Sequence, residues 1–472
     1  SGDGYSRLTG DGSTRPITNY PPLFPVLIAA VSLLGWNTIT ASAFINGSML
    51  AVNLTLLGIV VWRVTRHPLL SLLAGVAMLV CAPLLGAHLY AMSEPLYIAL
   101  SLGWLLLFST SLQQGRKGLT VLAGVIAGLA FVTRYVGITL FITGLLAILW
   151  RLTTWRSRLV MAGLFLAGGI PAPLAWLVRN RLVTESVANR ALLYHAIPVD
   201  NLREGTLNFW GWLLPEAGGW IDRLWQIWGV VFLLGMLSLT VWCAWRARAD
   251  ARASAGGATE SRLLLWLAAC HAVVYFSVLV LTMLFLDASP IFEHRILAPL
   301  YLSLMVMLFA GFGGLLAQKG RLWKLGAVAL MLVVFLSFGE DAADSYNTFR
   351  EGGQGFASPS WTESRVLRET RALPDVTIYT NRQSVVYLLG ERPAYILPSP
   401  INPATQLPRE GYAGDIARIQ EQVLSGKAVI VVFQYEQVIE NPEDRAWLAE
   451  VANGLPVFFQ SDDGIIWGKP DK

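Results

Sequence analysis

The chain of 472 residues is 54% hydrophobic and only 14% charged, against about 25% charged in ordinary soluble domains, and it reads as a polytopic α-helical membrane protein. Its 35 basic and 31 acidic residues leave a formal charge of +4, too nearly balanced for a nucleic-acid binder. Cys81, Cys243 and Cys270 all fall in apolar runs and form neither a disulfide framework nor a metal set.

In chain order, residues 1–21 are polar and turn-rich, start with Ser and resemble no signal peptide; the expectation is that a true N-terminus is missing. The apolar run 22–35 follows two prolines and has 14 residues, too few to span, so it is placed as an interfacial or re-entrant helix. Runs long enough to cross, about 20 residues each, follow at 41–62, 69–87, 94–112, 159–178, 224–245, 263–286, 296–317 and 325–339. Two shorter runs, 119–132 and 136–150, flank Thr133-Arg134-Tyr135 and are read as a hairpin. Residues 1–40 thus make a first external loop, and 41–340 a transmembrane bundle of about ten spans or half-spans.

Charge sets the orientation. With 1–40 outside, the inner loops carry fourteen basic residues, from Arg63 and Arg66 to Lys319, Arg321 and Lys324, against only Asp250 and Glu260. The outer loops mix both signs, which fits the positive-inside rule. Residues 341–472 have soluble composition. Helix-like 362–372, 383–389 and 413–424 alternate with VTIYT (376–380) and KAVIVVF (427–433), and a hairpin is expected around Ser461-Asp462-Asp463-Gly464. This predicts a small α/β domain, extracytoplasmic by parity and free of cysteine.

Polar groups near membrane depth are the first candidates for chemistry. Ser93-Glu94-Pro95 opens a span. Acid and proline in a first helical turn suit capping, but a carboxylate at a cavity mouth could equally bind substrate or a metal. Arg134 interrupts two apolar runs with no acid nearby in sequence; the favoured reading is a half-helix break holding an anionic group. Arg179-Asn180-Arg181, Arg190, Tyr194-His195 and Glu293-His294-Arg295 place more basic groups on the same side, suited to phosphate. Glu94, Arg134, Arg179, Arg190 and Arg295 are expected to converge on one cavity, with Arg203 outside it. The sequence holds no phosphate-binding glycine loop, H-E-x-x-H or nucleophile elbow. Asn46-Gly-Ser and Asn53-Leu-Thr match a glycosylation pattern but lie in a span and are discounted.

Tyr20-Pro21-Pro22-Leu23-Phe24-Pro25, Met92-Ser93-Glu94-Pro95-Leu96-Tyr97 and Thr133-Arg134-Tyr135-Val136-Gly137 resemble the bacterial family 39-like glycosyltransferases. These belong to the GT-C superfamily, with protein O-mannosyltransferases and the aminoarabinose transferases of lipid A. Arg179-Asn180 to Arg190, His294-Arg295-Ile-Leu-Ala-Pro299-Leu-Tyr301 and Tyr379-Thr-Asn381 extend the resemblance over nearly the whole chain. It implies a polyprenyl-phosphate sugar donor, transfer with inversion to an acceptor hydroxyl or amine, and an acid in the first external loop acting as base. The helix and acid expected upstream of Pro-Pro-Leu-Phe-Pro are not in the sequence, leaving Asp3 and Asp11 in that loop. Catalytic candidates are therefore Glu94 and Asp11, and substrate-binding candidates Tyr20, Arg134, Tyr135, Arg179, Asn180, Arg190, His195, His294 and Arg295. No cofactor is assigned and a divalent metal stays open. Expected partners are the lipid-linked donor and membrane lipid, with further subunits of a membrane complex left open. Two other readings stand beside the enzyme: a non-catalytic accessory subunit that keeps the fold, and a lipid-linked sugar transporter.

Overall fold

The computed structural model describes residues 5–8, 14–184, 192–213, 218–252, 256–352 and 355–470. The chain divides into two compact units, Thr18–Asn347 and a second made of Ser1–Ile17 with Thr348–Lys472.

The larger unit is helical. It runs α1 (Leu23–Ser32), α2 (Thr38–Thr65), α3 (Pro68–Val80), α4 (Ala82–Leu89), α5 (Glu94–Gln114), α6 (Lys117–Thr133), α7 (Ile138–Arg151), α8 (Trp155–Gly169), α9 (Pro171–Thr184), α10 (Val199–Gly211), α11 (Gly218–Arg223), α12 (Trp225–Arg252), α13 (Gly256–Phe285), α14 (His294–Leu316) and α15 (Arg321–Gly352). Among the described residues six helices are long and apolar enough to cross a membrane, and two bent pairs raise the number to eight. The protein is an integral membrane protein.

Cross-links fix which helix ends meet. At one end Asn46 of α2 donates to the carbonyl of Met92 at 3.1 Å, just before α5. At the opposite end the Arg63 guanidinium donates to Thr110 of α5 at 2.9 Å, and Ser261 of α13 donates to the Arg63 carbonyl. Trp150 at the end of α7 stacks on Trp266 of α13, 4.2 Å between centroids. So α6 and α7 run antiparallel about the break at Arg134, which lies at the first end. The ten-residue α1 is about 15 Å long, half of what a crossing needs. It buries Phe24 against Ile45 and Leu96 at that same end.

Two expected spans are broken rather than continuous. The run 69–87 bends by 66° between α3 and α4, and 159–178 by 51° between α8 and α9. Each break precedes prolines, Pro83 in one and Pro171 and Pro173 in the other, which withhold an N–H and clash with the preceding turn. The second pair also packs closely on α6. A Cβ on Gly124 would meet the Phe165 carbonyl at 2.0 Å, and one on Gly168 the Val121 carbonyl at 2.1 Å, so small residues admit direct backbone contact.

The smaller unit contains a hairpin, β1 (Ser6–Leu8) with β2 (Thr14–Pro16), followed by α16 (Pro359–Thr362), α17 (Arg365–Ala372), β3 (Thr377–Thr380), α18 (Gln383–Leu388), β4 (Tyr395–Ile396), α19 (Tyr412–Leu424), β5 (Ala428–Phe433), α20 (Tyr435–Glu440), α21 (Pro442–Val451), β6 (Val457–Ser461) and β7 (Gly464–Trp467). The sheet order is β4-β3-β5-β7-β6; β3 pairs parallel with β4 and β5, while β7 runs antiparallel between β5 and β6. The wholly buried β5 has helices on both sides, with Ile419 and Val423 of α19 on one face and Val366 and Val385 on the other, as a two-faced apolar strand requires.

Two boundaries differ from the sequence reading. The division falls at 347/348, inside α15, rather than at 340/341, because the apolar helix continues into the polar segment without a break. Residues 1–17 belong with the C-terminal unit rather than with a loop 1–40: Gln383 donates to the Leu8 carbonyl at 3.0 Å.

Candidate active site

Glu94 is the first residue of α5, with Pro95 in the same turn, where the helix dipole favours a carboxylate. It is 2% exposed. Arg134 ends α6 in an extended conformation and is followed by a single 3-10 turn, Tyr135–Gly137. That turn lies so close to α6 that a Cβ on Gly137 would approach Ala130 and Phe131 backbone atoms to 2.4 Å. Only glycine fits, and the tight tuck aims Arg134 across the bundle end.

Arg134 forms an ion pair with Glu94 Oε1. Arg295, in the first turn of α14, places Nε 3.9 Å from the same oxygen and Nη2 2.8 Å from Glu293. Glu94, Arg134 and Arg295, far apart in sequence, thus meet at one end of the bundle. The deeper pair is largely shielded; Arg295 is 43% and Glu293 37% exposed. A charge removed from water is held firmly by its partner, whereas an exposed pair exchanges partners at little cost.

Of the other predicted residues, Tyr135 is joined to the Arg134 turn, and the other described ones make contacts of their own. Tyr135 donates to the Thr18 carbonyl at 2.6 Å and accepts from the Trp176 indole at 2.9 Å, which ties α9 to the Arg134 turn. The Arg179 guanidinium lies 5.1 Å over the Trp176 ring and donates to the buried Asn180 at 3.1 Å. His195 is held by its backbone N–H on the Leu284 carbonyl, and its buried Nε2 has no hydrogen-bond partner among the described residues. Tyr20 is 65% exposed. His294 turns inward, its Nδ1 3.1 Å from the Tyr301 hydroxyl. Because that hydroxyl donates to the Asn208 carbonyl, His294 must donate from Nδ1. Asp11 and Arg190 lie outside the described residues. No group of three or more His, Cys, Asp or Glu side chains suited to a metal occurs among the described residues, and both guanidinium groups address the Glu94 oxygen a cation would need.

Supports missed in sequence lie beneath the pair. Asn46 and Asn53 are 1% and 0% exposed and hold the approach to α5: Asn46 donates to the carbonyls of Tyr90 and Met92, and Asn53 to that of Pro95. Asn53 also bonds His88 Nε2 at 2.9 Å, and His88 Nδ1 bonds the Leu84 carbonyl. One turn below Glu94, the Tyr97 hydroxyl meets Thr139 at 2.9 Å and His271 Nε2 at 3.4 Å, while His271 Nδ1 faces Ser303 at 3.2 Å. This network joins α5, α7, α13 and α14, four helices that frame the site. Asparagines seven apart in one apolar helix share a face, and a lone histidine in an apolar run needs a partner; those were the available signals.

The sequence matches no family model and no curated protein. Solved structures do resemble the fold. The archaeal oligosaccharyltransferase AglB of Archaeoglobus fulgidus, in complex with an inhibitory peptide and a dolichol-phosphate, aligns over 98% of this chain and 68% of its own, with a TM-score of 0.54 and 12% identity. The chain shares the fold of this oligosaccharyltransferase. A second structure of that oligosaccharyltransferase, tethered to an acceptor peptide containing the NVT sequon, aligns over 99% and 68% with a TM-score of 0.53 and 12% identity. ArnT from Cupriavidus metallidurans bound to undecaprenyl phosphate aligns over 96% of this chain and 88% of its own, at a TM-score of 0.49 and 12% identity. In this shared fold, Glu94, Arg134 and Arg295 stand at the ends of three different bundle helices.

Proposed function

We propose that this chain is a GT-C glycosyltransferase that takes a sugar from a polyprenyl-phosphate donor and passes it, with inversion, to an acceptor hydroxyl or amine on the extracytoplasmic face. The observation that carries the reading is the arrangement of Arg134 and Arg295 around buried Glu94. Two guanidinium groups of unequal exposure at a bundle end suit a lipid phosphate, whose charge stays at headgroup depth while its tail remains in the bilayer. The AglB structure that resembles the fold is in complex with a dolichol-phosphate, which supports the same ligand class.

On this reading Arg134 and Arg295 hold the donor phosphate and take up the charge that develops as the anomeric carbon–oxygen bond breaks. Glu94 is assigned to holding Arg134 rather than to accepting the acceptor proton, because its Oε1 already faces two cations. The base is assigned to Asp11 on the family resemblance alone. Tyr20, Tyr135, Arg179, Asn180, Arg190 and His195 are proposed to line the donor's path, and His294 to seat Arg295 at the start of α14.

Turnover tests the proposal. Radiolabelled polyprenyl-phosphate hexose and pentose donors are incubated with membranes containing the wild type, Arg134→Lys or Arg203→Ala. Arg203 is exposed and bound to Asp222 by two hydrogen bonds, so it serves as the control. Transfer of label from lipid by wild type and Arg203→Ala, but not by Arg134→Lys, supports the function; transfer by none, or equally by all three, refutes it. For orientation, a cysteine replacing Ser461 should react with an impermeant reagent added outside, and one replacing Gln114 should not. The native cysteines are buried and give little background.

A further inference from the structure

The end of the bundle opposite the active site carries a second feature. Between α2 and α3 runs an open groove of about 560 Å³, lined among others by Leu54, Thr55, Gly58, Trp62, Ser71 and Gly75. Its hydroxyls are spent on backbone: Thr55 donates to the Ala51 carbonyl at 2.9 Å and Ser71 to the Gly58 carbonyl at 2.7 Å. The exposed lining is therefore hydrocarbon, with Ile59, Leu72, Val76 and Leu79 on its walls. Gly58 and Gly75 form the hollow: a Cβ on Gly58 would meet Ser71 Oγ at 3.3 Å, whereas one on Gly75 meets only the Leu54 carbonyl at 4.0 Å.

Length narrows the occupant. Thr55 to Trp62 along α2 and Pro68 to Leu79 along α3 correspond to about 10 and 16 Å at helical rise, near half of a hydrocarbon core of about 30 Å. That half-thickness matches one acyl chain of a single leaflet. At the mouth, Trp62 is exposed and the Arg66 guanidinium lies 5.5 Å over its ring. Arg66 caps α2 in a left-handed conformation with φ of 58°, a position where glycine costs less. An arginine there fixes a positive charge beside an indole at the membrane boundary, where an anionic headgroup sits.

We propose that this groove binds one acyl chain of an anionic phospholipid from the leaflet at that end, with the lipid phosphate at Arg66. The proposal is independent of sugar transfer at the other end.

Native mass spectrometry of the detergent-purified chain with added phosphatidylglycerol or phosphatidylethanolamine tests it. Wild type should retain one phosphatidylglycerol in preference to phosphatidylethanolamine. Arg66→Gly keeps the backbone in a conformation glycine prefers and should weaken retention of phosphatidylglycerol roughly fivefold, as removal of one interfacial charge implies. Gly75→Phe should fill the groove and abolish retention of the bound lipid, with unchanged thermal unfolding showing that the fold survives. Equal retention of both lipids by wild type, retention unchanged in both variants, or a dimer that Gly75→Phe dissociates would each overturn the proposal.

Discussion

Replacing Arg134 with Ala isolates the energetics of the site. The substitution leaves the Glu94 carboxylate, 2% exposed, without its close partner. Removing one member of a buried ion pair costs about 3–5 kcal/mol. Two features of the site reduce that figure: Arg134 itself is 20% exposed, and Arg295 remains 3.9 Å from the same carboxylate oxygen. The expected loss is therefore about 2–3 kcal/mol, or roughly 5 °C in apparent melting temperature for a unit of this size. Glu94→Ala with Arg134→Ala removes both charges and should recover at least half of the loss, since no uncompensated charge stays behind. Thermal unfolding of the wild type, both single variants and the double variant in one detergent measures the coupling directly. If the double variant is less stable than Arg134→Ala by the full effect of Glu94→Ala, the two residues act independently, and the reasoning that makes Glu94 the anchor of Arg134 fails.

Three further outcomes are expected. Glu293→Gln removes the exposed carboxylate that competes for Arg295 and should tighten undecaprenyl phosphate binding about threefold, the scale of a surface pair; unchanged or weaker binding in a lipid-transfer or calorimetric assay argues against Arg295 as a phosphate ligand. Gly137→Ala forces a Cβ against the α6 backbone and should displace Arg134, lowering phosphate binding at least tenfold on the scale of a misplaced charged hydrogen bond; wild-type binding would show that the tuck is not needed. In the smaller unit, burial works to raise the Asp463 pKa, but hydrogen bonds from Ser364 and Ser461 and from the backbone of Val366 and Arg365 outweigh it and hold it below the usual carboxylate value. A depressed folded pKa contributes stability above the unfolded value that is lost as pH falls through the folded one. Stability measured by denaturant titration should therefore fall below about pH 4, and Asp463→Asn should flatten that limb; an unchanged acid limb counts against the role of Asp463 at the start of α17.

The sequence revealed most where physical chemistry is local. Long apolar runs declared the helices, short apolar runs between helix-like segments declared β3, β5 and the β6–β7 hairpin, and the isolated Arg134 between two short runs marked the place where three helix ends meet. Less was legible where the outcome depends on tertiary partners. The partner of Arg134 is 40 residues away; the sequence suggested that Glu94 shares its cavity, but the direct ion pair depends on packing of α5 on α6. Asn46 and Asn53 looked like a surface pattern misplaced in a span, because the carbonyls they satisfy belong to the loop before α5. The helices α20 and α21 carry too few apolar residues to stand out and are held by the sheet they cover. The contact of Leu8 with Gln383 joins segments 375 residues apart, which no local pattern encodes.

The most direct measurement is an experimental structure of the full chain in lipid nanodiscs with undecaprenyl phosphate added. The predicted result is a phosphate within hydrogen-bond reach of both Arg134 and Arg295, with Arg295 turned away from Glu293 and Glu94 still paired with Arg134. A phosphate bound elsewhere, with the Glu94–Arg134–Arg295 arrangement unchanged and unoccupied, would contradict the assignment of this site to the lipid donor.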